Sequence, residues 1–298
     1  MLITHNNVSW LNLANPEEKD LEFLGQDLKV SPLVIKQLLG FNKRPKIEEY
    51  DDYLFLAMHF PVFDSSDRKT TPTELDFIIT DKKIITIYQN SNPALENLFR
   101  ECEENINLQA LYFKNSGFLL FSILDNLVDS CLPMLDHIHE KIENVENQVF
   151  EGKESKMLKE IAIVKRDIID FRRTIKPQRS VLETLAKKDQ RFFKENLEMI
   201  SQEAIGSEIR VWNVLENHKE MIEAIEKTNE GLLSYQISRV MHTLTYFSII
   251  LFTLTFIASF FSMKVILPVQ PGGWLLPAGI MIFAIIAISA IFKWRKWM

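Results

Sequence analysis

Residues 239 to 264, RVMHTLTYFSIILFTLTFIASFFSMK, contain no Asp, Glu, Lys or Arg between Arg239 and Lys264. As a helix, residues 240 to 263 extend about 36 Å, enough to cross a bilayer core of about 30 Å. A chain carrying such a segment is built around a membrane. The span is also patterned, because Met241, Thr245, Ser248, Phe252, Thr255, Ser259 and Ser262 recur at alternating steps of four and three residues. That seven-residue period marks one seam of a helix bundle. Small hydroxylic seams in lipid either allow close helix packing or line water, and the spacing alone is compatible with both.

The rest of the chain reads as a soluble part joined to this anchor. Its 47% hydrophobic content averages a polar N-terminal portion with a strongly apolar C-terminus. A net charge of -6 gives no general basic footprint, so nucleic acid is not an expected partner. Cys102 and Cys131 have neither metal-ligand spacing nor the look of a disulfide framework. The N-terminus lacks the basic and apolar regions of a signal peptide, so the soluble part is expected in the cytoplasm.

Residues 1 to 116 are expected to form a mixed α/β domain. Apolar, β-branched runs at Tyr53 to Phe63, Leu75 to Thr80 and Ile84 to Tyr88 alternate with helical patterns at Pro16 to Leu28, Pro32 to Gly40 and Pro93 to Asn105. The acidic doublets Glu48-Glu49 and Asp51-Asp52 read as solvated loop residues ahead of a strand. His5 and His59 have no partner at ligand spacing. Gly-rich phosphate loops and nucleophile motifs are absent, so neither an enzyme nor a cofactor is expected.

From Gly117 the pattern becomes helical. Leu135, Ile138, Ile142, Val145 and Val149 step by three and four, and the series resumes after Gly152 with Leu158, Ile161, Val164, Ile168, Phe171 and Ile175. Residues 117 to 195 therefore read as a helical hairpin, with Pro177 ending or kinking its second arm. A third helix is expected from near Asn196, running without a proline through a cytoplasmic stalk (196 to 240) into the first span (241 to 263). Its acidic run includes Glu216, Glu220, Glu223 and Glu226, which are candidate ligands for a regulatory divalent cation.

A short loop, 264 to 273, is followed by an uncharged segment, 274 to 292, long enough to span again. The tail, 293 to 298, reads KWRKWM. Cations and tryptophans at this flank place it on the cytoplasmic side, which leaves both termini inside and the loop outside.

Together these features resemble the CorA family of magnesium transporters over nearly the whole chain. RPKIEEYDDYLFLAMHFP (44 to 61), ILDNLVDSCLPMLDHIHEKIENVENQVFEG (123 to 152), LTFIA (254 to 258) and the basic tail carry the resemblance. It implies a homopentamer in the plasma membrane, with the first span lining the pore and the second facing lipid. On that reading the hydroxyl seam is the pore wall, Met241 and Phe252 are apolar constrictions, and magnesium or another divalent cation is substrate or regulator. A non-conducting membrane-anchored assembly is the alternative outside transport.

The outer mouth departs from the family. Its Gly-Met-Asn signature is replaced by Ser262-Met263-Lys264, and residues 265 to 273 contain no acid. The family's stalk regulatory acid falls near Lys227. A divalent ion about 6 Å from each of five ammonium groups is opposed by about 7 kcal/mol in water before screening. A potential of 100 mV supplies only about 4.6 kcal/mol across the membrane. Inward-pointing lysines would thus impair magnesium entry or favour another ion, whereas heads that snorkel toward lipid phosphates would not.

Overall fold

The computed structural model describes residues 1–42, 44–64, 69–187, 197–262 and 275–295. By its internal contacts the chain divides into Met1–Glu226 and Lys227–Met298, so the expected stalk, 196 to 240, is shared between the two units.

The first unit opens with β1 (Leu2–His5) and β2 (Val8–Ala14), an antiparallel hairpin. Its two turn residues, Asn6 and Asn7, have φ of 47° and 64°. Asparagine tolerates this left-handed region, and two such residues make the tight turn whose twist matches the strands. Helices α1 (Glu18–Asp27) and α2 (Pro32–Leu38) follow, and Ser31 caps α2 by accepting from the Leu33 amide at 3.3 Å.

Strands β3 (Lys46–Glu49), β4 (Leu54–Asp64), β5 (Lys69–Ile79) and β6 (Lys83–Tyr88) complete a six-stranded sheet of order β1-β2-β6-β5-β4-β3. Only β2 and β6 run parallel; every other pair is antiparallel. The expected strands are present, but three are additional: β1, β2 and β3. Glu48-Glu49 is corrected accordingly. These acids lie within β3, where Glu48 accepts from Lys46 Nζ at 2.9 Å and the Tyr50 hydroxyl at 3.0 Å, not in a loop. The β5 strand also starts well before Leu75. Pro61 faces Pro72 in the far part of the β4–β5 ribbon, beyond the registers of β3 and β6. There each strand has a free outer edge, the one position where a missing N–H is tolerated.

Both faces of the sheet are covered. Leu21, Leu24, Val34 and Leu38 pack with Phe55, Ala57, Ile78, Ile85 and Ile87 on one face. On the other, Trp10 meets Phe99 edge-on at 4.9 Å and donates from Nε1 to Thr86 Oγ1 at 3.0 Å. Phe99 belongs to α3 (Pro93–Glu104), which α4 (Ile106–Tyr112) and α5 (Ser116–Asp129) follow.

The hairpin is α6 (Cys131–Phe150) and α7 (Glu154–Ile175). Gly152, at φ 85°, supplies the left-handed residue that ends α6. The inward residues are those of the three-four pattern: Leu135, Ile138, Ile142, Val145 and Val149 on one arm, and Ile161, Val164, Ile168, Phe171 and Ile175 on the other. Leu158 is the exception, half exposed. Pro177 separates α7 from α8 (Gln178–Lys187). Lys141 crosses the hairpin to Asp167 at 3.1 Å, and that carboxylate is almost fully buried.

The last two helices are α9 (Glu198–Ser262), a single run of 65 residues, and α10 (Leu275–Trp294). Asn196, the expected start of α9, lies outside the described residues. Among the described residues, three helical stretches are long and apolar enough to cross a membrane: Ser116–Phe150, α9 and α10. The apolar window of the first is 56% buried inside the protein, whereas those of α9 and α10 are 6% buried. The first is thus spent on the core, and the other two present their apolar surface outward.

Candidate ion pathway

The apolar C-terminal part of α9 has two unlike faces. Tyr246, Ile250, Thr253, Ile257 and Phe261 form a half-covered stripe, and Met281, Ala284 and Ile288 on α10, with buried Phe292, form another. They meet at Tyr246, whose hydroxyl is 2.9 Å from Ser289 Oγ and whose ring packs edge-on to Phe292 at 5.2 Å.

The seam lies on the opposite side. Met241, Thr245, Ser248, Phe252, Thr255, Ser259 and Ser262 are all exposed in the single chain. At about 100° per residue, the seam and the stripe toward α10 are centred about 170° apart on the helix. A helix in lipid that buries one stripe on its own hairpin and keeps a hydroxylic seam diametrically opposite has that seam available for water or for another helix.

The seam's polarity is directional. Thr245 donates its hydroxyl to the Met241 carbonyl and Thr255 donates to Leu251, each at 2.8 Å. With their protons held by the helix backbone, these hydroxyls offer lone pairs outward. Water bound to a cation points its hydrogens away from the ion, so the two threonines suit a hydrated cation. Phe252 is 75% exposed on the same face and breaks the polar line with a large apolar group. Met263 and Lys264 lie outside the described residues, as does the loop that follows.

The stalk acids are not gathered in one chain. Glu216 pairs with Arg172 at 2.5 Å, and Arg172 sits over the Trp212 ring at 5.1 Å. Glu226 pairs with Lys165 at 2.6 Å, Glu223 with Lys219 of its own helix at 3.8 Å, and Glu220 is exposed. Among the described residues no group of three or more His, Cys, Asp and Glu side chains stands ready to hold a metal ion. Sequence reasoning missed the Tyr246–Ser289 clasp. Its only signal was a tyrosine on α9 off the line of the seam and the one hydroxyl of α10.

The family description "CorA-like Mg2+ transporter protein" matches residues 5–296, nearly the whole chain. The chain belongs to that family. Among its CorA-like relatives, the cobalt/magnesium transport protein CorA of Thermotoga maritima is 24% identical over 296 residues, covering 97% of this chain and 83% of that protein. The zinc transport protein ZntB of Pectobacterium carotovorum is 22% identical over 290 residues, covering 96% and 86%. The complete structure of the CorA magnesium transporter from Methanocaldococcus jannaschii shares the fold at a TM-score of 0.85 and 19% identity, covering 99% of this chain and 94% of that one. The full-length CmaX protein does so at 0.73 and 16%, covering 97% and 89%. The CorA-like fold thus accompanies relatives named for magnesium, cobalt and zinc.

Proposed function

We propose that the chain is a divalent-cation channel of the plasma membrane, working as a homopentamer with five copies of the α9 seam around one pore. Magnesium is the inherited substrate, α10 faces lipid, and both termini are cytoplasmic. The observation that carries this reading is the placement of the hydroxyl seam about 170° from the stripe toward α10. In a membrane protein of a metal-transporter family, that leaves the ion path as the natural occupant of the seam.

The chemistry follows from the side chains. Hydrated cations are passed along the lone pairs of Thr245 and Thr255 and the hydroxyls of Ser248, Ser259 and Ser262. Rings of Met241 and Phe252 close the path by dewetting, because an apolar constriction of near-ion width excludes water. Lys264 at the outer mouth makes entry depend on where five ammonium groups point. It sets a second reading within the same architecture, in which the pore prefers a different ion, including an anion.

Ion flux in proteoliposomes tests both. Magnesium uptake that is driven by an inside-negative potential and rises in Lys264→Asn supports the divalent reading. Reversal potentials that follow chloride establish the anion reading. A protein and variant that pass no ion leave a non-conducting assembly and overturn the channel.

A further inference from the structure

A second polar site lies in the N-terminal sheet. Under the end of α2 is a cavity of about 280 Å³ lined by Leu38, Gly40, Phe41, Glu74, Asp76 and Gln89, among others. Glu74 and Asp76 alternate along β5 and so share a face, the one covered by α1 and α2. The register sets Lys46, Ala57, Asp76 and Ile87 in one row across the sheet, and His59 directly opposite Glu74.

Buried polar groups are normally satisfied, yet three here are not. Asp76 is 3% exposed and its Oδ1 has no hydrogen-bond partner. His59, 5% exposed, has none for either ring nitrogen. By contrast, Glu74 is clamped: its Oε2 accepts from the Asn42 amide at 2.7 Å and its Oε1 from Asn42 Nδ2 at 2.5 Å. Gln89 spends its side-chain nitrogen on the Pro16 and Leu38 carbonyls, each at 3.4 Å, which leaves its amide oxygen for the cavity.

We infer that this cavity is a binding site for a hydrated divalent cation, held by the Asp76 and Glu74 carboxylates. Two carboxylates with an amide oxygen and water are the donor set of oxygen-seeking ions such as Mg2+, Ca2+ and Mn2+. Six waters at about 30 Å³ each occupy roughly 180 Å³, so an ion fits with much of its shell. Lys46, the cation in the same row, has its ammonium on Gln37 Oε1 at 2.8 Å and Glu48 Oε1 at 2.9 Å. The site is independent of the transport reading.

The test is a Mn2+ titration of the full-length protein in detergent, with free Mn2+ read by electron paramagnetic resonance. Wild type, Asp76→Asn and Glu74→Gln are compared, each amide removing one carboxylate at nearly unchanged shape. The expected result is a class of site present in wild type and missing from both variants. Isotherms that coincide across the three proteins overturn the inference. Should an amide variant fail to fold, Gln89→Leu, at an exposed residue of the same lining, takes its place. It is expected to weaken the site severalfold, and an unchanged isotherm overturns the inference.

Discussion

The Tyr246 hydroxyl lies 2.9 Å from Ser289 Oγ and links α9 to α10. Ser289 also donates to the Ile285 carbonyl at 2.7 Å, so its free lone pair is the natural acceptor for the tyrosine. Tyr246→Phe should keep the ring on Phe292 and lose the hydrogen bond, at a cost of about 1 kcal/mol. Tyr246→Ala should cost more, because the aromatic contact goes as well. Thermal unfolding in detergent separates the two, and equal losses would mean that the hydroxyl contributes nothing.

The two faces of α9 make a paired prediction. Cysteine at Ser248 or Ser259 should react with a small thiol reagent added to proteoliposomes and thereby block flux. Cysteine at Ile250 or Ile257 should not. Phe252→Ala, which opens an apolar ring, should raise resting flux by roughly tenfold. Block from the α10 side, or unchanged flux in Phe252→Ala, would place the path elsewhere.

Arg172 is held by Glu216 at 2.5 Å and by the Trp212 ring. Guanidinium suits both partners, whereas a lysine ammonium replaces neither the planar stacking nor the fork of donors. Arg172→Ala should cost about 2 to 3 kcal/mol, and Arg172→Lys should recover less than half of it. Full recovery by lysine would reduce the contact to simple charge pairing.

Glu208 gives a pH signature. It is 1% exposed, and burial pushes its carboxyl up to about 7 against the pull of Arg179. Below about pH 4.5 the folded and unfolded chains both carry the proton. Between about 4.5 and 7 only the folded chain does, so stability falls as pH rises, by up to about 3 kcal/mol in all. Glu208→Gln should flatten this slope in melting temperatures taken from pH 5 to pH 7.5. An unchanged slope would assign it to other groups.

Periodicity made the helical part of the chain readable. A helix in lipid has few ways to be polar, so hydroxyls at steps of three and four stand out, as do the inward residues of α6 and α7. The N-terminal strands were harder. Asn6-Asn7 was a turn signal between two short β-branched runs, but β2 is stabilised by pairing with β6, more than seventy residues away. The pairing of the stalk acids was hidden for a related reason, since Arg172 and Lys165, the partners of Glu216 and Glu226, sit on a different helix. Glu74 and Asp76 did leave a trace. Two acids alternate in a strand whose intervening residues, Leu75 and Phe77, are apolar, so covering both faces of the sheet buries the acids too.

Because α9 reserves opposite sides for the clasp to α10 and for the seam, the two can change independently over evolution. A substitution at Thr255 or Ser259 alters what the helix offers to water without disturbing Tyr246, Ser289 or Phe292. In the proposed pore, selectivity can then drift one ring at a time while the contact between α9 and α10 stays intact. This gives a physical reason why one fold can accompany proteins named for magnesium, cobalt and zinc.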